Sequence, residues 1–402
     1  MGKLFKLLSI QILIFLVGLE VLLNLFLPFP DPYKSVGGYT KYHKYLPTWN
    51  MGATGSGAEP PYTQVFVTGP LTGVSTRKVT ISVNRFGFFY DDSAGHRAQK
   101  DELRIGVIGG STVECAALES DKRWPNRLQQ ELAKSFPGRL VTVLNMGRSD
   151  QGTPTHLATV AQLAVKLQLD YLVFMLGAND VGIFRNEPLT DDKASLPVVL
   201  VGPDHGFFKV LATRLQLGRG LRLALHRLQG WSEPLPDESI PYFHAFLEKH
   251  RNIPVDSHRQ FPINSEGLAD YELNLISLYA LASAHGITPV FTTQPMLWKP
   301  TMTADEEAVD WLRFGIGDRT LFRMSTAEAA RHLELTNERL MSVCRERGWR
   351  CIDLASKVPR SLNYFYDSVH FNEAGAELVA KEVGQFLHRS SQTTSTSRTA
   401  EP

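Results

Sequence analysis

Residues 104–114 read Arg104-Ile-Gly-Val-Ile-Gly-Gly-Ser111-Thr-Val-Glu114: a short apolar run that closes on Gly109-Gly110, with Ser111 placed where the run stops. A buried strand of roughly four to eight residues, ended by glycines that permit a tight turn, is how α/β proteins raise one reactive side chain to a sheet edge. Ser111 is therefore the first candidate nucleophile. Taken alone the stretch also fits a plain strand-to-helix turn, so its reading depends on what the flanking chain supplies.

Downstream the pattern recurs. Leu128, Leu132 and Phe136 fall at helical spacing, and Pro137-Gly138 ends that helix. A strand over 141–147 follows, then a helical pattern over 154–168 and a third strand, Tyr171-Leu-Val-Phe-Met-Leu176, that runs into Gly177-Ala-Asn179-Asp180. A helix around Leu268 to Ala284 leads to a fourth strand over 287–293. Ser325 and Glu328 form a capping-box signature for a helix reaching Arg347, before a fifth strand over 350–354 and a last helix from about Asn372 to Leu387. Such alternation implies right-handed crossovers and a five-stranded parallel sheet covered on both faces. Ligands bind such sheets beyond the carboxyl ends of the strands, where Ser111, Gly147 and Asn179 all fall.

A serine hydroxyl attacks poorly until a base takes its proton, and the base needs a third group to fix its tautomer and aim. Just before the last helix the chain reads Tyr364-Phe-Tyr-Asp367-Ser-Val-His370-Phe. Asp367 and His370, three apart on a turn, are set to enter the same crevice; the plainer reading is a pair that caps a helix start. Attack on an ester carbonyl builds charge on its oxygen, and a pre-aimed donor is worth about 2.7 to 4 kcal/mol there. The backbone N–H groups of Ser111 and Gly147 and the amide of Asn179 are the available donors.

Four blocks, Gly109-Gly-Ser111-Thr, Asn145-Met-Gly147, Gly177-Ala-Asn179-Asp and Asp367-Ser-Val-His370, resemble those of the SGNH (GDSL-like) hydrolase family, in the same order over residues 104–388. The resemblance implies a flavodoxin-like three-layer α/β/α sandwich and hydrolysis or transfer of acyl esters of lipids, sugars or other alcohols. It implies Ser111 as nucleophile, His370 and Asp367 as base and orienter, and Ser111, Gly147 and Asn179 as the oxyanion hole. It implies no cofactor. Gly110 departs from the family's name motif, which has aspartate there, as membrane-anchored bacterial members often do. The segment through Asn84 and Gly87 resembles what precedes the first block in those members. An alginate-acetyltransferase-like branch places its Asp-His pair ahead of the serine; this chain does not, which favours the hydrolase layout.

Upstream, residues 7–27 form an apolar segment long enough to cross about 30 Å of hydrocarbon as a helix. Pro28-Phe-Pro30-Asp31 follows instead of a small-residue cleavage site, so residues 1–30 read as an uncleaved signal-anchor with the rest extracytoplasmic, on the periplasmic side in a Gram-negative cell. Lys3 and Lys6 on one flank against Lys34 and Lys41 on the other give the orientation only slight support. Glu20 costs about 2.5 to 3.5 kcal/mol if central in the span, which points to a membrane-protein partner unless Glu20 and Asn24 sit at the headgroups. Residues 31–100 read as a neck followed by a small β addition, with a strand at 79–84.

Between Asp180 and Asn264 an insertion (181–263) is long enough to cap the crevice. Within it, residues 207–231 interleave five cations with leucines and hold no acid, the pattern of a helix for an anionic surface or of a cap with a solvated face. Gln294 and Trp298 follow the fourth strand on the crevice side; Trp298 is set either to stack on a sugar ring or to fill the core. His244, Glu248 and His250 match no metal-ligand spacing, and Gly106, Gly109 and Gly110 lack a phosphate loop's lysine. A net charge of +1 gives no sign of nucleic-acid binding. Among three cysteines, Cys344 and Cys351 are placed to pair in an oxidising compartment, leaving Cys115; alternatively all three are small buried hydrophobes. Residues 389–402 read as a disordered tail.

The expectation is a membrane-anchored serine esterase that removes small acyl groups, such as acetyl, from envelope or exported carbohydrate. Acyl transfer to a sugar hydroxyl uses the same residues, and lipid esters are a third substrate class. A non-catalytic glycan-binding assembly protein is the rival from another class. It would hold His370 beyond hydrogen-bond reach of Ser111.

Overall fold

The computed structural model describes residues 11, 15, 16, 18–20, 22, 62–67, 71–75, 78–84, 88, 89, 98–149, 151–180, 253–255, 265–317 and 320–398. The span expected over 7–27 falls mainly outside these; its described residues are helical. Among the described residues no helix is long and apolar enough to cross a membrane. The neck, the basic segment, His244, Glu248, His250 and all but 253–255 of the insertion lie outside the described residues.

An antiparallel pair, β1 (Tyr62–Val67) and β2 (Lys78–Val83), comes first. Strand β3 (Leu103–Gly109) then leads through the single turn α1 (Ser111–Glu114) and α2 (Trp124–Ser135) to β4 (Val141–Gly147). Helix α3 (Thr153–Gln162) leads to β5 (Tyr171–Met175), and α4 (Ser265–Ala284) to β6 (Thr288–Thr292). After β6 come α5 (Ala304–Val309), the hairpin β7 (Phe314–Gly317) and β8 (Thr320–Arg323), α6 (Thr326–Arg347), β9 (Cys351–Ile352) and α7 (Glu373–Arg398). Five strands make one sheet in the order β4-β3-β5-β6-β9, every pair parallel. That is the doubly wound 2-1-3-4-5 arrangement, so the expected α/β sandwich is the observed one.

Strand alternation sorts the core into two layers. Ile105, Val107, Val143, Val173 and Val290 face Leu128 and Leu132 of α2 and Val379 and Val383 of α7. On the other side Ile108, Leu144, Leu172, Phe174 and Phe291 meet Val160 of α3, Leu275 and Leu278 of α4 and Leu340 of α6. The expected capping box of Ser325 and Glu328 starts α6, and Gly348, at φ +64°, ends it. Cys344 in its last turn is joined by a disulfide to Cys351 in β9, and Cys115 is the free, buried cysteine.

Three expectations need correction. The fifth strand is only Cys351–Ile352, because Leu354 N–H already turns back to the Ile352 carbonyl at 2.9 Å. The helix expected over 154–168 breaks after Gln162 into the 3₁₀ turn Ala164–Lys166. The disordered tail expected from 389 instead continues α7 to Arg398. No glycine or proline interrupts 385–398, and Ser391 Oγ donates to the His388 carbonyl at 2.7 Å.

The β addition is not a loose appendage. Val79, Ile81 and Val83 alternate inward onto Phe89 and Ala116. Further on, the Glu373 N–H at the start of α7 donates to the Gly73 carbonyl at 3.2 Å, and the Glu373 carboxylate accepts from Ser75 N–H at 2.9 Å and from its hydroxyl.

Candidate active site

Parallel pairing puts the carboxyl ends of three strands side by side: Gly109 of β3 is in register with Gly147 of β4 and Met175 of β5. Ser111 lies two residues past β3 and Asn179 four past β5. Close approach of backbone requires glycine at 147, while at 110 the neighbour is a side chain. A Cβ at 110 would meet the Asn179 side-chain amide, and one at 147 would run into the backbone of Val113 and Glu114. Glycine at 110, where the family motif carries aspartate, thus leaves Asn179 the space beside the serine.

His370 Nε2 lies 2.7 Å from Ser111 Oγ. Its Nδ1 is 2.7 Å from Asp367 Oδ2 and 2.9 Å from Oδ1. Asp367 Oδ1 also accepts from the backbone N–H groups of Val369 at 3.1 Å and His370 at 2.8 Å, and Oδ2 accepts from Trp311 Nε1 at 2.9 Å. Burial works to raise the Asp367 carboxyl, but the charge and hydrogen bonds of His370 and the Val369 amide outweigh it and hold the group below the usual range. Asp367 is therefore a carboxylate, able to orient and charge-stabilise the imidazole. The neighbouring thiol of Cys115 is pushed up to about 12 by burial and offers no competing nucleophile.

Asn179 Nδ2 donates one hydrogen to the Gln151 carbonyl at 3.0 Å, and Asp180 accepts from Thr153 N–H and, at 3.2 Å, from Gly177 N–H, which fixes the loop. The Ser111 amide belongs to the first turn of α1, where a helix supplies no internal acceptor. The Gly147 N–H donates to Asn145 Oδ1 at 3.0 Å, and its bare backbone lets α1 settle against β4.

The two crevice candidates are placed differently as well. Trp298 is 0% exposed, its Nε1 bonded to Asp310 Oδ1 at 3.1 Å and its ring packed among Met296, Leu312, Met324 and Leu333. It fills the core and has no face for a sugar. Gln294 is buried too, and its Oε1 accepts from Thr112 Oγ1 at 3.0 Å. It braces the residue after Ser111. Trp311, a tryptophan that does reach the site, carries no periodicity or motif; the Thr303-to-Glu306 capping box eight residues before it was the readable signal that a structured segment lay there. Among the described residues no cluster of three or more metal-ligand side chains occurs.

The GDSL-like Lipase/Acylhydrolase family matches residues 107–378, well over half of the chain, and the chain belongs to that family. It is an ester hydrolase of the SGNH type. No curated protein matches the sequence. Similar solved structures include an acetylxylan esterase, Axe2, from Geobacillus stearothermophilus (13% identity, 72% of this chain and 96% of that one, TM-score 0.39). Another is a GDSL-like lipase from Bacteroides thetaiotaomicron (13% identity, 74% and 94%, TM-score 0.38). A third is the esterase EstA from Pseudoalteromonas sp. (11% identity, 72% and 98%, TM-score 0.39).

Proposed function

We propose that the protein is a serine acylhydrolase working through an acyl-enzyme on Ser111. Ser111 Oγ attacks the ester carbonyl carbon while His370 Nε2 takes the hydroxyl proton. The carbonyl π pair moves onto oxygen, where the second Asn179 hydrogen and the Ser111 N–H receive it. The intermediate collapses by breaking the ester C–O bond, and His370 returns its proton to the leaving alcohol. Water then repeats the sequence, its proton passing to His370 and back to Ser111 as the acid leaves. Asp367 stays ionised throughout. The observation that carries this reading is the unbroken relay Ser111–His370–Asp367, with 2.7 Å at each junction. A glycan-binding protein without chemistry has no need of it.

The substrate we propose is a small acyl group, acetyl for preference, on envelope or exported carbohydrate. The enzyme is anchored by residues 7–27 and faces the extracytoplasmic side. The Cys344–Cys351 disulfide supports an oxidising compartment, and the apolar segment supports the anchor. A fluorophosphonate probe should label the wild type and neither Ser111→Ala nor His370→Ala. Absence of labelling on folded wild type would favour the assembly role. Acetate release from an acetylated polysaccharide then tests the substrate.

A further inference from the structure

We propose that Trp311 is a positioning residue of this relay, fixing the Asp367 carboxylate from outside its own turn through the indole N–H; the proposal rests on the acylhydrolase reading above. Asp367 is 3% exposed and takes hydrogen bonds from four donors. Val369 N–H, His370 N–H and His370 Nδ1 belong to the turn 367–370 itself and move with it. Among the described residues Trp311 Nε1 is the donor that comes from another part of the chain, at 2.9 Å.

The segment that carries it is itself held. Asp310, 0% exposed, accepts from the Ser368 hydroxyl and from Trp298 Nε1, and pairs with Arg313, which also binds Glu307 and the Met324 carbonyl. Residues 310 and 311 thus grip residues 368 and 367, while Leu297 N–H holds the Ser368 carbonyl at 2.7 Å. An indole N–H only donates, and it meets Oδ2, the oxygen nearer His370 Nδ1. It therefore fixes the carboxylate plane and draws part of its charge away from the imidazole. The other titratable groups facing the pair are few. Tyr366, stacked on His370, is kept neutral by burial and the Asp367 charge, with Glu114 and Cys115 beyond it; Asp310, Glu307, Arg313 and Arg323 lie behind Ser368.

The test uses the full-length protein, p-nitrophenyl acetate and Trp311→Phe, which keeps an aromatic ring, though a smaller one, and deletes the donor. The expected result is a kcat lower by about tenfold with KM changed less than about twofold. The acid limb of kcat/KM should move to higher pH, since a carboxylate relieved of one donor favours the protonated imidazole more strongly. A folded variant with unchanged kcat and unchanged limb overturns the proposal. A second measurement needs no turnover: among the six indole N–H resonances of ¹⁵N-tryptophan protein, one should shift upfield in Asp367→Asn. If none moves, the bond is absent and the proposal fails, even if Trp311→Phe does not fold. A wild type that neither hydrolyses the ester nor takes a fluorophosphonate counts against the acylhydrolase reading instead, while the indole signal still reports on Trp311.

Discussion

The Asn179 side-chain amide and the Gln151 carbonyl lie 3.0 Å apart, so one amide hydrogen is anchored and the other is aimed by that anchor. An oxyanion donor must be held before the charge develops, and this bond holds it. Asn179→Ala should lower kcat by about 10² to 10³-fold with little change in melting temperature. Gly147→Ala should instead show its effect in stability, because the added methyl collides with the Val113 and Glu114 backbone. Thermal unfolding and turnover of the two variants separate the roles. A Gly147→Ala protein as stable as wild type but inactive would place the Gly147 amide in the oxyanion hole.

Asp367→Asn tests the orienter. Trp311 Nε1, two backbone N–H groups and His370 Nδ1 all donate to this side chain. An amide there must turn its own NH₂ toward one of them. If it faces the imidazole, Nδ1 has to accept, and the proton moves to Nε2 where the base is needed. We expect kcat about 10³ to 10⁴-fold lower, with folding retained.

The disulfide closes a short loop between α6 and β9, a sequence separation of 7. Chain entropy assigns such a loop about 2 to 3 kcal/mol. Cys344→Ser with Cys351→Ser should lower the melting temperature, as should dithiothreitol on wild type, and the two effects should not add. Additivity would mean that reduction acts elsewhere.

His156 gives the fold an acid limit. Burial lowers its pKa from 6.5 to about 3. In that window the unfolded chain binds a proton that the folded one excludes, so stability rises with pH there. The contribution is complete above pH 6.5 and is lost as pH falls toward 3. His156→Gln should flatten the stability-against-pH curve across this window in urea titrations. An unchanged acid limb would mean that another group sets it.

How far the residues alone foretold this arrangement depends on distance along the chain. β4 was legible to the residue because Val141 to Gly147 is a buried apolar run bounded by Pro137-Gly138 and by glycine. Ser111, Asp367 and His370 were legible because each lies beside a strand end or helix start that local pattern marks. Trp298 and Trp311 were not separable that way. Which of them reaches the crevice is set by the path of residues 299–325, where Asp310 takes Trp298 into the core and turns Trp311 outward to Asp367. The β1 strand and the β7–β8 hairpin were missed for a related reason: strands this short are defined by their partner more than by their own alternation. The bond from the Gly147 amide to Asn145, two residues away, leaves no trace in spacing.

The clasp of Glu373 on Gly73 and Ser75 has a mechanical consequence. Glu373 opens α7 only three residues after His370, so the segment at 71–75 is tied almost directly to the loop bearing the base. A protein trimmed to begin at residue 101 would keep every strand of the main sheet and lose this tie. We therefore expect the smallest working enzyme to start ahead of the sheet, with 71–75 retained as a brace on the loop that carries the base.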